Sequence, residues 1–315
     1  MAIYITNDDV RNLLSMEAAV DVLDDLFRQE AAGLVENIPR KRRRFEGGGS
    51  GTLMGGVVLG SKAYGVRNSN HSLLHDTDTG ALQAVIEPRE VAWIRTGAAS
   101  GVATKYMALD DARVVGCVGT GHQAVTQLRA MCAVRPISLI KVYSRSQERR
   151  DAFVKQMALD PAIDNPSIKI VTADSTEACL AGSQIVVAIT NSRTPVFDGA
   201  LLEPGTHVNA AGGNSYARCE VDDVTIRRSS VIAVDNLHQA KRECGELIAA
   251  ADRGVFRWGQ AVELHQVVSG QVAGRPSTDA ITLFESQGIG TEDTACYAYL
   301  LRQARELGIG TELPF

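Results

Sequence analysis

A glycine-rich turn that follows an apolar segment is the part of this chain best suited to chemistry. Residues 114–124 read V-V-G-C-V-G-T-G-H-Q-A. Gly119 permits a tight turn, Gly121 lets the backbone approach a pyrophosphate, and Ala124 lets the following helix pack close to the strand. The N-terminus of that helix would present free N–H groups to phosphate oxygens. The spacing predicts a dinucleotide-binding turn made by Gly119, Thr120, Gly121, His122, Gln123 and Ala124.

The next apolar segment indicates which dinucleotide would bind. It ends in V-Y-S-R-S at residues 142–146, with no acidic residue. An acidic side chain at this place accepts hydrogen bonds from a ribose 2′-hydroxyl, whereas hydroxyl and guanidinium groups suit a 2′-phosphate. We therefore favour NADP(H), contacted by Ser144, Arg145 and Ser146. NAD(H) is the alternative if Arg145 is only a solvated loop cation.

Two later apolar segments also end in polar or small residues. The first is followed by Thr190, Asn191 and Ser192, whose polar groups would hydrogen-bond the nicotinamide ribose or cap a turn. The second, at 207–210, is followed by A-G-G-N, which ends at Asn214. Ligands of an open parallel sheet bind at the carboxyl ends of its strands, so both segments are candidate cofactor or substrate contacts.

Hydrophobic periodicity predicts the elements that hold these residues. Strands are predicted at 113–118, 137–143, 168–172, 185–189, 207–210 and 231–234, with helices after the first strand and at 146–157 and 175–181. Such alternation is typical of a doubly wound parallel sheet, the Rossmann arrangement. The predicted fold class is therefore α/β, with the Rossmann domain at 112–293.

The residues before the glycine turn follow a different pattern. Ser15 is a predicted N-cap, and the helix after it has an apolar face made by Ala19, Val20, Leu23, Leu26, Phe27 and Leu34. Short segments at 38–87 predict a sheet of hairpins, and a helix is predicted at 88–108. These elements predict a second, α+β domain at 1–111, completed by about 294–315.

Composition excludes several classes of function. The 315 residues are 45% hydrophobic and 22% charged, with a net charge of −5, which argues against non-specific nucleic-acid binding. The N-terminus lacks a basic region before an apolar core, and no apolar run is long enough to cross a bilayer, so we expect a cytoplasmic protein. The six cysteines contain no C-x-x-C pair, and His71 and His75 lack a clear third ligand. We expect neither a disulfide nor a metal site.

Motifs along nearly the whole chain resemble those of the ornithine cyclodeaminase/mu-crystallin family. In order they are I-P-R, L-M-G-G, G-S-K-A-Y, I-R-T-G-A-A-S-G, V-G-T-G-H-Q-A, H-V-N-A-A-G-G-N and T-L-F-E-S-Q-G-I-G-T-E-D. The resemblance implies a homodimer in which domain 1–111 binds substrate and mediates dimerisation. It also implies chemistry on imines of α-amino acids, so that the small-molecule partner is an imino or amino acid.

The resemblance also implies roles for individual residues. Arg40 and Arg95 match the cations that hold the substrate carboxylate, and Lys62 matches the active-site lysine. On a strand Arg40, Arg42 and Arg44 would share a face, so Arg42 is an alternative to Arg40. Lys62 could also contact the carboxylate or take part in proton transfer. The expected cofactor contacts further include Thr96, Gly212 and Gly288.

Two positions depart from the family pattern. Cyclodeaminases carry an aspartate where this chain has Asn214, and an amide cannot act as a base near neutral pH. Asn214 is therefore expected to orient the substrate, and ornithine cyclodeamination is disfavoured. Gly290 stands where many relatives have alanine, and we expect it to loosen the wall near the nicotinamide.

These inferences predict an NAD(P)H-dependent reductase of an α-imino acid, or the reverse amino-acid dehydrogenase. In this mechanism Lys62, Arg95 and Asn214 act at the imine and its carboxylate. Further arginines in the same stretch, among them Arg42, Arg44 and Arg67, leave an acidic substrate such as iminosuccinate open beside cyclic imines and iminopyruvate. The alternatives are a redox-neutral cyclodeaminase or dehydratase that uses its nicotinamide transiently, and a non-catalytic, NADPH-dependent ligand binder.

Overall fold

The computed structural model describes residues 1–163 and 167–314. Its strands are β1 Ile3–Ile5, β2 Val35–Arg44, β3 Ser50–Val58, β4 Ala63–Arg67, β5 Ser72–Asp76, β6 Leu82–Ile86, β7 Val114–Val118, β8 Leu139–Tyr143, β9 Lys169–Thr172, β10 Ile185–Ala188, β11 His207–Ala210, β12 Ser229–Val234, β13 Ala261–Glu263, β14 Ile281–Glu285 and β15 Thr311–Glu312. Its α-helices are α1 Asn7–Leu13, α2 Met16–Ala31, α3 Pro88–Met107, α4 His122–Val134, α5 Gln147–Met157, α6 Thr176–Leu180, α7 Asp223–Arg228, α8 Leu237–Glu243, α9 Gly245–Asp252, α10 Leu264–Val268 and α11 Gly290–Leu307.

Two compact units divide the chain, one formed by Met1–Arg95 with Gly288–Phe315 and the other by Thr96–Gln287. The sequence analysis instead placed its boundaries at 111/112 and 293/294. The first difference arises because the division falls within α3, whereas local pattern marks only the end of that helix. The second arises because the start of α11 packs with the first unit.

The first unit is built on a mostly antiparallel sheet in the order β15-β1-β6-β5-β4-β3-β2. Strands β2 to β6 pair antiparallel in sequence, which confirms the predicted hairpins. Ser15 caps α2 by accepting from the Ala18 N–H, as predicted. The predicted apolar face is buried except for Leu34, which lies beyond the end of α2 and is exposed. Its assignment to that face was therefore wrong.

Among the described residues, the second unit is built on a parallel sheet in the order β13-β12-β14-β11-β10-β7-β8-β9. Every residue of β10, β11 and β14 is buried. Parallel strands with helices on both faces read as continuous apolar runs, which is why the sequence pattern located β10 and β11. It predicted neither β13 nor β14. The observed strand and helix order confirms the α/β Rossmann prediction.

The remaining global observations concern thiols and hydropathy. All six cysteines are free thiols. Within the residues that the structure describes, no helix combines the length and apolar character needed to cross a membrane.

Candidate active site

The glycine turn between β7 and α4 has the geometry of a phosphate cradle. Gly119 has φ of +129°, and a Cβ there would lie 2.3 Å from the Ile189 carbonyl oxygen. A Cβ on Gly121 would meet nothing within 4 Å, so the space beside it is open. Gly121 is also the N-cap of α4 and supplies no side chain to the first N–H groups of the helix. The turn therefore fits a dinucleotide pyrophosphate.

Helix α3 packs closely on α4 behind this turn. The Gln127 amide donates to the Thr96 carbonyl oxygen at 3.2 Å. A Cβ on Gly97 would lie 2.4 Å from the Thr126 carbonyl oxygen. Thr96, a predicted cofactor contact, is only 7% exposed.

The end of β8 carries the residues predicted to contact the ribose. Ser146 caps α5 by accepting from the Arg149 N–H at 3.3 Å, and the Ser144 hydroxyl donates to the Ser146 carbonyl oxygen. Arg145 is exposed. Sequence analysis did not identify Arg150, which is 7% exposed and donates to the Ser144 carbonyl oxygen at 2.5 Å.

The segments after β10 and β11 are joined by one carboxylate that the sequence analysis did not single out. Glu220 accepts hydrogen bonds from the N–H and hydroxyl of Thr190 and from the Gly212 N–H. Within the same segments, Ser192 donates to the Thr194 carbonyl oxygen and the Asn191 carbonyl oxygen accepts from Arg218. The chain continues from Gly212 to Asn214, which is exposed.

In the first unit, a cluster of arginines surrounds two buried carboxylates. Arg95 is 5% exposed and contacts Glu292 at 3.0 Å and Asp293 at 3.2 Å. Arg67 contacts both oxygens of Asp293 at 3.2 Å. Arg40 donates to the Gly288 carbonyl oxygen at 2.7 Å. We call these three arginines with Glu292, Asp293 and Gly288 the arginine cluster.

Electrostatics keep Asp293 ionised in this cluster. Burial alone would raise the pKa of Asp293, but the charges and hydrogen bonds of Arg67 and Arg95 outweigh it and hold that pKa below its usual value. Gly288 has φ of +71°, and a Cβ there would lie 2.2 Å from Arg95 Nη1. Gly288, predicted as a cofactor contact, therefore leaves room for the guanidinium of Arg95.

Lys62 does not join the arginine cluster through any of these contacts. Its ammonium lies 2.6 Å from Asp78 and its side chain is 65% exposed. The hydrogen bond and charge of Asp78 raise the pKa of Lys62, which opposes proton release. Arg67, which the sequence analysis mentioned only as an extra cation, contacts Asp293 together with Arg95.

A β-bulge separates Arg40 from Arg42. The pairing of β2 with β3 shifts register between Ile38 and Lys41, so strict alternation does not extend across Arg40. Arg40 is partly buried and reaches Gly288, whereas Arg42 and Arg44 are exposed. The expectation that the three share one face fails at the bulge, and the geometry favours Arg40 over Arg42.

The expectation for Gly290 needs a correction. A Cβ at this position would lie 2.0 Å from the Gly55 carbonyl oxygen, with two further backbone atoms of Gly55 within 2.6 Å. Gly290 begins α11 and lets the helix contact β3 directly. It tightens this contact rather than loosening a wall.

The family model described as "Ornithine cyclodeaminase/mu-crystallin family" matches residues 2–307. This chain belongs to that family. The fold and the glycine turn agree with the membership, and the motifs that suggested it are spread over the matched range.

Curated members of the ornithine cyclodeaminase/mu-crystallin family include oxidoreductases similar to this chain. A Delta(1)-pyrroline-2-carboxylate reductase of Bacillus cereus is 34% identical over 82% of this chain and 78% of its own length. An alanine dehydrogenase of Archaeoglobus fulgidus is 30% identical over 99% and 98%. An iminosuccinate reductase of Paracoccus denitrificans is 27% identical over 99% of both chains.

Two solved structures are similar over almost the whole length. One is Thermococcus litoralis Delta(1)-pyrroline-2-carboxylate reductase in complex with NADH and L-proline, with a TM-score of 0.91 at 30% identity. The superposition covers 99% of this chain and 100% of the reductase chain. The other is an archaeal alanine dehydrogenase dimer with bound NAD, with a TM-score of 0.89 at 29% identity. The superposition covers 100% of this chain and 99% of the dehydrogenase chain.

Proposed function

We propose that this protein is an NAD(P)H-dependent reductase that converts a cyclic α-imino acid to the corresponding amino acid, with pyrroline-2-carboxylate as the representative substrate. The reverse direction is an amino-acid dehydrogenation. The named relatives act on imino or amino acids, which supports this class of reaction. The second unit carries a phosphate cradle that suits a dinucleotide, and the first unit carries an arginine cluster that suits a carboxylate.

The arginine cluster carries the proposal. Its guanidinium groups, from Arg40, Arg67 and Arg95, bring three positive charges, and Glu292 and Asp293 bring two negative ones. The net charge of the cluster is therefore +1 (3 − 2), which suits one carboxylate. A guanidinium binds a carboxylate with two parallel hydrogen bonds, so these residues would hold and orient the substrate.

The same charge balance selects among the substrates left open by the sequence. A second carboxylate, as in iminosuccinate, would need another cation close by, yet Arg42 and Arg44 are exposed and Lys62 is paired with Asp78. We therefore place a monocarboxylic imine ahead of a dicarboxylic one. The ring of a cyclic imine keeps the C=N bond next to the carboxylate without a free amine.

The chemistry needs few groups from the protein. A reduced nicotinamide, when bound, would supply the hydride for the carbon of the C=N bond. The iminium form of the substrate already carries the proton on nitrogen, so the product amine forms without a separate acid. Arg40, Arg67 and Arg95 fix the carboxylate. The amide of Asn214 cannot act as a base. We therefore expect Asn214 to orient the substrate by hydrogen bonding.

For the cofactor, a nicotinamide dinucleotide is supported by the cradle and by neighbours that bind NADH or NAD. We propose NADPH as the preferred form. Support comes from Ser144, Arg145 and Ser146 at the end of β8, where no carboxylate is present to contact a 2′-hydroxyl. Arg145 is exposed and so accessible to a 2′-phosphate.

We also propose a homodimer, since the similar archaeal alanine dehydrogenase is described as a dimer. Light scattering coupled to gel filtration tests this. A mass of twice the 33.7 kDa chain supports the proposal, and a mass of one chain contradicts it.

A substrate panel tests the reaction class. NADPH and NADH consumption would be followed with pyrroline-2-carboxylate, with pyruvate plus ammonia or methylamine, and with oxaloacetate plus ammonia. We expect the highest kcat/KM with the cyclic imine. Faster turnover of the oxaloacetate-derived imine would overturn the preference for one carboxylate. Cofactor binding without oxidation by any of them would overturn the reductase assignment.

A further inference from the structure

The buried carboxylate of Glu220 ties together the ends of two neighbouring strands. Glu220 is fully buried. One of its oxygens accepts from the N–H and hydroxyl of Thr190 at 2.5 and 2.7 Å, and the other accepts from the Gly212 N–H at 2.6 Å. Thr190 follows β10 and Gly212 follows β11, and these strands pair in parallel. One side chain thus receives three hydrogen bonds from both segments.

The joined segments adjoin the phosphate cradle. A Cβ on Gly119 of the cradle would lie 2.3 Å from the carbonyl oxygen of Ile189, the residue before Thr190. At Gly212 a Cβ would lie 2.1 Å from the Thr190 carbonyl oxygen and 2.7 Å from the Glu220 carboxylate. Both segments also lie at the carboxyl ends of parallel strands, where such sheets bind ligands. Their backbone is therefore placed to contact a dinucleotide bound at the phosphate cradle.

Other acidic groups face Glu220 from the surrounding elements. Glu246 on α9 accepts from the Glu220 N–H at 3.2 Å. Glu285 ends β14, and burial first and then the charges of Glu246, Glu220 and Asp235 raise its pKa. Burial and the charge of Glu246 raise the pKa of Glu220, and the hydrogen bonds from Thr190 and Gly212 lower it. The net pKa is about 7.

Two cysteine thiols and two arginines also interact with these acidic residues or with the neighbouring segments. Cys244 contacts Glu285 at 3.5 Å. The charges of Glu246, Glu285 and Glu220 raise the pKa of Cys219, and the charge of Arg253 lowers it. Arg218 donates to the Asn191 carbonyl oxygen. Burial raises the pKa of both thiols, Cys219 to about 12, so neither ionises before Glu220 does.

We propose that Glu220, in its carboxylate form, is a positioning residue that fixes segments 190–192 and 212–214 for binding of the nicotinamide half of the cofactor. The inference rests on the dinucleotide binding in the proposed function. A carboxylate can accept all three hydrogen bonds. A protonated Glu220, or a glutamine, places a donor against N–H groups that need an acceptor, so the segments lose their fixed geometry.

The substitution Glu220→Gln tests this by cofactor binding rather than turnover. The Kd of the full-length protein for NADPH or NADH, whichever binds tighter, would be measured by fluorescence from pH 6 to 8.5. The ratio of variant to wild-type Kd cancels any ionisation of the cofactor itself. We expect a ratio of about tenfold at pH 8.5 that falls below about twofold at pH 6, because wild-type Glu220 is then protonated as well.

A second variant, Glu246→Gln, keeps the clamp and removes the neighbouring charge. It should lower the pKa of Glu220, so that at pH 6 the variant binds cofactor about threefold tighter than wild type, with equal affinity at pH 8.5. A merely structural role for either residue would not move the pH dependence in this way.

The possible outcomes separate the two proposals. A ratio for Glu220→Gln that is constant with pH, or no change at pH 6 for Glu246→Gln, overturns the role of Glu220 alone. If the Kd ratios are as predicted but no imino acid is turned over, the positioning role of Glu220 is supported and the reductase activity is contradicted. A wild-type protein that binds neither cofactor contradicts both.

Discussion

At the scale of single residues, the assignment of the substrate carboxylate depends on Arg67. This side chain contacts Asp293, the same carboxylate that contacts Arg95, and is 23% exposed. Lys62 is paired with Asp78 at 2.6 Å on an exposed surface. Lys62 directly precedes β4 and Arg67 is its last residue. Their different contacts allow substitutions to distinguish which of them binds the substrate carboxylate.

The variants Arg67→Ala and Lys62→Ala should differ in steady-state kinetics. Loss of a charged hydrogen-bond donor to the carboxylate should raise the KM for the imino acid about 10- to 100-fold in Arg67→Ala. Loss of an exposed ion pair should change the KM of Lys62→Ala less than about twofold. The reverse pattern would restore Lys62 as the active-site cation.

The proposed preference for NADPH depends on Arg145. Arg145→Ala should raise the Kd for NADPH about tenfold, because a charge-assisted contact with the 2′-phosphate is lost. NADH lacks that phosphate and should bind the variant and wild type equally. Fluorescence titrations with both cofactors measure the effect, and an equal loss of affinity for both would contradict a role at the 2′ position.

The residue types at the site were predictable only where a local motif encodes them. The glycine turn is one such case, because its spacing reflects a single strand-to-helix connection. The acidic partners of Arg95 were not, since Glu292 and Asp293 lie 197 and 198 residues away in sequence. Glu220 was missed for the same reason, because its contacts with Thr190 form only when the strand ends are brought together.

At the scale of elements, close backbone contacts fix the positions of α11 and α4. Gly290 allows α11 to meet the Gly55 carbonyl oxygen, and Gly121 leaves open space at the N-terminus of α4. Substitution by alanine should therefore affect mainly stability at Gly290 and mainly cofactor binding at Gly121.

Gly290→Ala should lower the free energy of unfolding by about 3 kcal/mol, because its Cβ would overlap backbone that cannot move independently. Gly121→Ala should cost less than about 1 kcal/mol but weaken cofactor binding, since its methyl group would occupy the space for the pyrophosphate. Urea unfolding and cofactor titration of both variants measure these effects. A stable Gly290→Ala protein would show that α11 can shift away from β3.

Element prediction succeeded where burial imposes a regular pattern. Strands β7 to β12 were located, helped by the burial of β7, β10 and β11 on both faces, whereas β13 and β14 were not predicted. The β-bulge between Ile38 and Lys41 was not, because it depends on the register with β3 and not on the composition of β2. That irregularity decides which arginine of the run reaches Gly288.

At the scale of the whole molecule, buried titratable groups set how stability depends on pH. The pKa of Glu220 is raised from 4.5 to about 7, so its contribution to stability is complete below pH 4.5 and is lost as pH rises through 7. The pKa of His207 is lowered by burial from 6.5 to about 3. Its contribution is complete above pH 6.5 and is lost as pH falls through 3.

We therefore expect the apoprotein to reach its maximum Tm between about pH 4.5 and 6.5 and to lose stability toward pH 8.5. Burial raises the pKa of Glu285 well above its usual value, and Glu246 adds to the increase. Glu285→Gln should raise the Tm at pH 8.5 by several degrees, with little change near pH 4.5. Calorimetry at the two pH values measures this, and a Tm gain of equal size at both would exclude ionisation as its cause.

The predicted domain boundaries at 111/112 and about 293/294 differ from the division of the chain into two compact units. The two regions were recognisable, because hairpins precede the glycine turn and α/β alternation follows it. The exact division at Arg95/Thr96 could not be read locally, since α3 continues through it without a break in helical pattern.

The central claim is that a hydride moves from the nicotinamide to the imine carbon. The most direct test uses reduced cofactor deuterated at the transferred position, with pyrroline-2-carboxylate as substrate, followed by mass spectrometry of the amino acid formed. We expect one deuterium at Cα of the amino acid for each cofactor molecule oxidised. Product without deuterium, or substrate consumed with no net oxidation of the cofactor, would contradict it.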